Sequence, residues 1–334
     1  MTDVVHVLVG PPTHGVVRWA RDIACALDAP TVTVGHPREL TADRVAGAAA
    51  VHIHVTDRLF GPDAPTAATE FVAAVRRLGV EVGVTFHDIP QPSDGTGAFG
   101  RRAQAYRDMA AVTRGVIVSS RHERSLLDEM GWSAPPPEVI PLALTAPPAP
   151  GHDPTEGTAP EVAVFGYLYP GKGHAEVLDA LDVLDPRFGL VAIGAVSPGH
   201  DDLVDGLRRR ADHLGRRFRV TGFIDDDALT ATLRAVAVPV AHHRHLSASG
   251  SIPTWIAAGR RPLVPRGRYI DELAHRSPGV VAVHPDSGDA LREALCTAVF
   301  EPSTTWLAPD VDVRPSWDDV VTMHRDVFAR WATP

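Results

Sequence analysis

Val162-Ala163-Val164-Phe165-Gly166-Tyr167-Leu168-Tyr169-Pro170-Gly171-Lys172-Gly173-His174 reads as a short apolar run, a glycine-rich turn and the opening of a helix. The run shows no polar alternation, which predicts a strand buried on both faces and therefore a parallel sheet covered by helices. Downstream the pattern recurs at Leu190–Ile193, Phe218–Val220, Val236–Val240, Arg261–Val264 and Val280–Val283. Upstream it is present at Val4–Val9, Thr31–Val34, Ala50–Val55, Val82–Phe86 and Gly115–Val118. Helical patterns lie between the runs. Val16, Trp19, Ala20, Ile23 and Leu27 fall on one face at spacings of three and four, and Ala67–Leu78 reads likewise. Thr145–Glu161 is rich in Pro and Gly and lacks periodicity, so it reads as a linker. The expected fold class is α/β: two Rossmann-like, doubly wound domains over residues 1–147 and 162–309, a linker at 148–161, and a closing segment at 310–334. That segment carries Trp317, Val320, Val321, His324, Val327, Phe328 and Trp331 near one helical face, behind a Ser316/Asp319 pair resembling a capping box.

Composition narrows the function classes. The 334 residues are 44% apolar and 22% charged, ordinary values for a chain with a sizeable core. A net charge of -9 without a basic tract argues against a nucleic-acid partner. Cys25 and Cys296 cannot build a disulfide framework. Val4–Val9 lacks a basic flank and soon meets Pro11-Pro12, and no apolar stretch approaches the roughly 20 residues of a membrane helix. The expectation is a cytoplasmic protein with no integral membrane segment.

Of the 32 lysines and arginines, Lys172 alone is a lysine. Where coding bias has replaced lysine by arginine, a surviving lysine marks a need for a compact point charge. Lys172 also sits in a glycine-flanked strand-to-helix turn, where backbone can approach an anion and the helix start offers free N–H groups. The glycine spacing and the missing Ser/Thr exclude a Walker A loop. A second candidate anion loop, Leu246-Ser247-Ala248-Ser249-Gly250-Ser251, follows the Val236–Val240 run. Pro253 fits only a first helical turn, so a helix is expected to begin near Ser251. Two anion loops facing one cleft suggest a diphosphate ligand.

In the first half, Thr13-His14-Gly15-Val16 lies at a strand-to-helix turn, and His87 and Asp88 follow the Val82–Phe86 run. A strand-end histidine projects toward the ligand side of an α/β sheet, although such a residue is more often structural. His242, His243 and His245 share one short loop with no Cys or carboxylate beside them, which disfavours a metal site. Asp225-Asp226-Asp227 directly precedes a helical pattern and reads as helix capping.

Taken in order, Gly15-Val-Val-Arg, Thr85-Phe-His-Asp-Ile-Pro, Gly166 with Lys172-Gly173, Thr221-Gly-Phe-Ile-Asp-Asp-Asp-Ala-Leu, Ser249-Gly-Ser with Ala257-Ala-Gly, and Ser316-Trp317 resemble the retaining GT-B glycosyltransferases of family 4. The resemblance spans nearly the whole chain. It implies the GT-B fold, two Rossmann-like domains facing a central cleft, with the last helix crossing back onto the N-terminal domain. It also implies a nucleotide-diphosphate sugar as co-substrate, an oligosaccharide or glycoside acceptor, and no required metal or other cofactor. Carried over by position, Lys172 holds the diphosphate and Ser249, Gly250, Ser251 and Ile252 its distal phosphate. Gly222, Phe223 and Ile224 lie near the base, Gly15 beside the phosphates and His87 near the transferred sugar, with His14 and Asp88 facing the acceptor.

Departures from the family accompany these matches. Tyr167 stands where the family has arginine, so Arg244 or His245 is expected to supply that charge. The family's two glutamates would fall near Leu246 and Thr254, leaving Ser247, Ser249 or Thr254 to contact sugar and ribose hydroxyls. The arginine-rich composition is similar to that of actinobacterial enzymes of polysaccharide biosynthesis, which implies a mannosyltransferase using GDP-mannose. UDP-glucose is the alternative donor. Other readings are an inert sugar-nucleotide-binding protein, motivated by the lost glutamates, and an epimerase, disfavoured by the scarcity of carboxylates in these motifs.

Overall fold

A computed structural model describes residues 4–147, 158–244 and 246–331. The chain divides into two compact units, Met1–Ala143 with Trp317–Pro334, and Leu144–Ser316. Most of the stretch read as a linker, 148–157, lies outside the described residues, as does His245.

The first unit holds strands β1 (Val4–Val9), β2 (Thr31–Val34), β3 (Ala50–Val55), β4 (Glu81–Phe86), β5 (Gly115–Val118) and β6 (Glu138–Val139). Its helices are α1 (Gly15–Ala26), α2 (Asp57–Phe60), α3 (Ala64–Leu78), α4 (Thr96–Ala110) and α5 (Arg121–Glu129). The strands form one sheet in the order β2-β1-β3-β4-β5-β6, and every pairing is parallel. The four apolar runs β1, β3, β4 and β5 are buried on both faces, as their Val/Ile character requires, whereas the edge strand β2 buries only Val34. Local chemistry marks the helix ends. Asp63 caps α3 by accepting from Thr66 N at 2.8 Å, and Gly79 closes it with φ 65°. Ser120 caps α5 through Glu123 N at 2.9 Å.

The second unit holds β7 (Ala159–Phe165), β8 (Gly189–Ile193), β9 (Phe218–Val220), β10 (Val236–Val240), β11 (Leu263–Pro265) and β12 (Ala282–His284). Its helices are α6 (His174–Ala180), α7 (Asp201–His213), α8 (Asp226–Arg234), α9 (Ser251–Ala257), α10 (Arg268–Arg276) and α11 (Gly288–Phe300). The sheet runs β12-β11-β10-β7-β8-β9 and is parallel throughout. Counted from its own first strand this is the order 3-2-1-4-5-6, the dinucleotide-fold arrangement. Strand order reverses between β7 and β10, the switch point at which such sheets bind ligands. β7 opens at Ala159, ahead of the apolar run read from Val162, because Ala159 already pairs with Val236 across an irregularity in register. β11 and β12 each start two residues later than their apolar runs. The preceding arginine, Arg261, instead donates Nε to Val281 O at 3.2 Å. The two-residue edge strand β6 carries no sequence signal.

The last helix, α12 (Trp317–Trp331), belongs to the first unit. Val320, Val327 and Phe328 share a buried cluster with Val4, Ile23, Ile117 and Ile140, and Trp317 packs on Trp19 with ring centroids 5.1 Å apart. Trp331 lies over two glycines that face each other across β4 and β5, Gly83 and Gly115. A Cβ on Gly83 would fall 2.0 Å from the Trp331 ring, and one on Gly115 2.5 Å from it. The glycines are there to admit the indole. Gly83→Ala is expected to cost about 3 kcal/mol, the upper range for forcing extra volume into a packed core. Thermal unfolding in both backgrounds checks it: Gly83→Ala should cost far less in a Trp331→Ala protein than in wild type, because the ring its Cβ would strike is gone. Among the described residues no helix is long and apolar enough to cross a membrane.

Candidate functional site

In the second unit the loops leaving β7 and β10 flank the switch point and are tied together by Arg244 N donating to Gly171 O at 3.0 Å. Lys172 is buried at 6% exposure. Its Nζ donates to Ser251 Oγ at 3.2 Å, leaving two ammonium donors uncommitted among the described residues. Ser251 Oγ also meets Ser249 Oγ at 2.9 Å and His243 Nε2 at 3.5 Å. Burial pushes the Lys172 pKa down to about 7. The first residue of α9 and the sole lysine, 79 positions apart, thus form one polar hub at the switch point.

The glycines here serve the protein's own close approaches. Gly166 has φ 114°, and a Cβ there would sit 3.1 Å from Lys172 Nζ. A Cβ on Gly173 would fall 2.0 Å from His242 O, so this glycine lets the two loops meet. Gly194, which the sequence reading passed over, takes φ 140° with its Cβ position 2.3 Å from Gly166 O. It also bridges to Gly222, so Gly166, Gly194 and Gly222 line up at the carboxyl ends of β7, β8 and β9. A glycine directly after the Leu190–Ile193 run was the available signal. Gly15, at the first residue of α1, and Gly250, with φ -69°, are different. A Cβ at either would meet nothing within 4 Å, so neither packing nor backbone demands glycine.

Ile252 is fully buried in an apolar cluster with Ile256 and Val264, so only its main chain can serve a ligand. Helix α9 has seven residues and its dipole is correspondingly small, so the Lys172 ammonium is the principal positive charge of this hub. Thr254 Oγ1 donates to Gly250 O at 2.9 Å. Arg244, expected to stand in for the missing family arginine, instead pairs through Nε with Glu176 Oε1 at 2.5 Å. Its loop turns the guanidinium toward the α6 carboxylate. Phe223 is 51% exposed, whereas Ile224 packs against a buried cluster containing Trp255. Tyr167 is half-buried beside Gly166. Asp225 occupies the N-cap of α8 without a side-chain cap bond, and Asp226 and Asp227 fill the first turn, where the helix dipole favours them.

In the first unit, His14 caps α1 by accepting from Val16 N through Nδ1 at 3.2 Å. His87 follows β4, half-buried, and its Nε2 lies 3.0 Å from His54 Nδ1. Burial lowers the His87 pKa to about 4, with His14 adding to the effect. Asp88 takes the left-handed φ of 53°. Its carboxylate accepts from Arg102 Nη2 at 2.9 Å, and the same guanidinium binds Asp57 and Asp94. Tyr106 donates its hydroxyl to His87 O at 2.8 Å. Behind His87 stands a buried column the sequence reading did not single out. His6 Nδ1 and His52 Nδ1 are 3.4 Å apart, and His52 Nε2 is 2.9 Å from Thr85 Oγ1. Histidines at 52 and 54 inside an apolar strand were its trace in the sequence. Among the described residues the ring nitrogens of His6, His52 and His54 converge to within 4.8 Å, and the His242–His243 pair joins no such group.

No protein-family model and no curated protein matches the chain significantly. Solved structures do. HepE of Anabaena, solved with UDP-glucose, superposes with a TM-score of 0.73 at 15% identity, covering 98% of this chain and 94% of that one. Sucrose-phosphate synthase of Thermosynechococcus elongatus gives 0.65 at 15% identity over 98% and 96%. AviGT4, a glycosyltransferase involved in avilamycin A biosynthesis, gives 0.58 at 14% identity over 98% and 97%. The fold shared with these proteins is the GT-B fold, each unit a Rossmann-like, doubly wound sheet.

Proposed function

We propose that the protein is a retaining GT-B hexosyltransferase similar to family 4, moving a sugar from a nucleoside-diphosphate donor to a saccharide hydroxyl without a required metal. The observation that carries this reading is the buried Lys172 ammonium joined to Ser251 at the β7/β10 switch point. A buried amine without a carboxylate partner is costly in the unliganded protein, and a bound diphosphate would compensate it. As the sugar leaves, negative charge grows on the distal phosphate. Lys172, the Ser249 and Ser251 hydroxyls and the main-chain N–H groups of Gly250–Ile252 are the preorganised donors for that charge. In front-face attack the acceptor oxygen bonds to the anomeric carbon while the bond from that carbon to the phosphate oxygen breaks. The departing phosphate takes the acceptor's proton, so the anomeric configuration is retained. Gly15 and Gly250, glycines that neither packing nor backbone requires, support close approach of a bulky ligand. Phe223, half-exposed after Gly222, suits a base-stacking role. His14, His87 and Asp88 are the acceptor- and sugar-facing candidates of the first unit.

The donor we favour is GDP-mannose, on the narrower resemblance to actinobacterial α-(1→4)-mannosyltransferases of methylmannose polysaccharide synthesis. UDP-glucose is the second reading, favoured by the fold shared with HepE, which was solved with that nucleotide sugar. Thermal-shift titration with GDP-mannose, UDP-glucose, ADP-glucose and their free diphosphates, with EDTA and with Mg²⁺, tests the assignment. Absence of any stabilisation would remove it. Binding without transfer or donor hydrolysis would favour an inert sugar-nucleotide-binding protein.

A pH dependence follows from the depressed Lys172 pKa. A diphosphate stabilises the ammonium and raises its pKa in the complex, so above pH 7 binding takes up a proton. Affinity for the free diphosphate should fall by up to about tenfold per pH unit above roughly 7.5, where the terminal phosphate is already ionised. It should level off below pH 7. Calorimetry in buffers of different ionisation enthalpy measures the uptake, and Lys172→Met should abolish it.

A further inference from the structure

We propose that His54 is a positioning residue that locks His87 in the tautomer protonated on Nδ1, so that the ring offers a ligand oxygen an N–H donor instead of a lone pair. The inference rests on the reading of His87 as a substrate-facing residue. His54 lies near the end of β3 and is 3% exposed, whereas His87 is half-buried just past β4. The sheet fixes both. His54 pairs in register with Thr85 and Val55 with Phe86, and His87 N extends the ladder by donating to Val55 O at 2.8 Å. The rings lie edge to edge, with centroids 5.3 Å apart and planes 20° off parallel, and His54 Nδ1 meets His87 Nε2 in line at 3.0 Å.

Both imidazoles are neutral near pH 7, since burial holds each pKa well below its ordinary value. Two neutral rings sharing one hydrogen bond comprise one donor and one acceptor, which leaves two arrangements. The other nitrogen of His54 decides between them. His54 Nε2 is buried without a hydrogen-bond partner. A proton there would be an orphaned buried donor, a rarer and costlier state than an unused lone pair. The His54 proton therefore resides on Nδ1 and points at His87 Nε2, which accepts it. The His87 proton is left on Nδ1. That N–H suits a hydroxyl, ring or phosphoryl oxygen of a sugar nucleotide or saccharide, and it removes His87 as a general base.

The test is a long-range ¹H–¹⁵N correlation spectrum of the histidine-labelled full-length protein near pH 7.5, which reports which nitrogen of each ring is protonated. Wild-type His87 should show a protonated Nδ1 and a bare Nε2. His54→Leu should release His87 to a mixture rich in the Nε2–H form, and His54→Asn, whose amide replaces the Nδ1–H donor, should restore the wild-type pattern. Turnover should fall about tenfold in the Leu variant, the scale of losing an outer partner that orients an imidazole, and recover in the Asn variant. A wild-type His87 protonated on Nε2, or a tautomer unmoved by His54→Leu, overturns the assignment. The wild-type spectrum alone decides if the Leu variant does not fold. The spectrum does not depend on transfer, so a wild-type protein with no transferase activity would remove the proposed reaction and leave the tautomer assignment intact.

Discussion

Lys172→Met should weaken diphosphate binding and lower turnover by about 10²-fold or more, the scale of removing one donor aimed at developing charge. The same variant should be more stable than wild type when unliganded. The Lys172 pKa falls from 10.5 in the unfolded chain to about 7 in the folded protein. The unfolded state therefore binds the proton more tightly, a penalty of roughly 5 kcal/mol that is present in full below pH 7. It fades as pH rises from 7 to 10.5, as both states become neutral. Methionine keeps the stem and drops the amine. A Tm gain of about 5 °C or more at pH 6, shrinking toward pH 10, is the expected signature, read by calorimetry with and without ligand. Near-normal turnover, or a ligand-induced shift as large as that of wild type, would dismiss the phosphate role. A gain in stability with loss of function is what a group retained for binding at the expense of folding should show.

Arg260→Met should have the opposite effect on stability. Arg260 is fully buried, and no carboxylate meets it among the described residues. Its Nη1 donates to Val236 O at 2.7 Å and its Nη2 to Ala237 O at 2.9 Å, and Nε reaches Thr305 O at 3.2 Å. The guanidinium lies 4.0 Å from the centroid of Trp306. Backbone carbonyl dipoles thus take the place of a counter-ion and tie the end of α9 to β10 and to the 302–305 turn. Removing the guanidinium strands several buried carbonyls at once. A net loss of stability is expected, because each buried carbonyl left without its donor costs about 1–3 kcal/mol and together they outweigh the relief of removing a buried charge. Arg260→Lys should not rescue it, because a point ammonium cannot reach acceptors on β10 and in the 302–305 turn at once. Unfolding curves of both variants check this; a lysine variant as stable as wild type would show that charge alone matters.

These two residues illustrate how far the sequence could be read. Lys172 stood out because it is the sole lysine and sits in a glycine turn after an apolar strand. Arg260 was invisible among the many arginines, since nothing local distinguishes a buried guanidinium from a solvated one. The apolar runs at Val4–Val9 and Val162–Phe165 announced parallel strands through their unbroken β-branched character. The starts of β11 and β12 were misplaced because pairing, not hydropathy, decides where a short strand opens. Ser251 was legible as a helix start through Pro253, while its contact with Lys172 depends on β7 and β10 being neighbours.

The amino-acid pattern by itself determined the alternation of strand and helix, the doubly wound class, and the glycine-flanked and serine-rich loops that carry Lys172 and Ser251. These are local properties, written in spacing and residue type over a few turns of chain. The tertiary structure alone decided that Trp331 rests on Gly83 and Gly115, that Arg260 is clasped by carbonyls, and that His54 meets His87. Each of those contacts joins residues dozens to hundreds of positions apart, and strand order and register, fixed only when the sheet closes, bring them within reach.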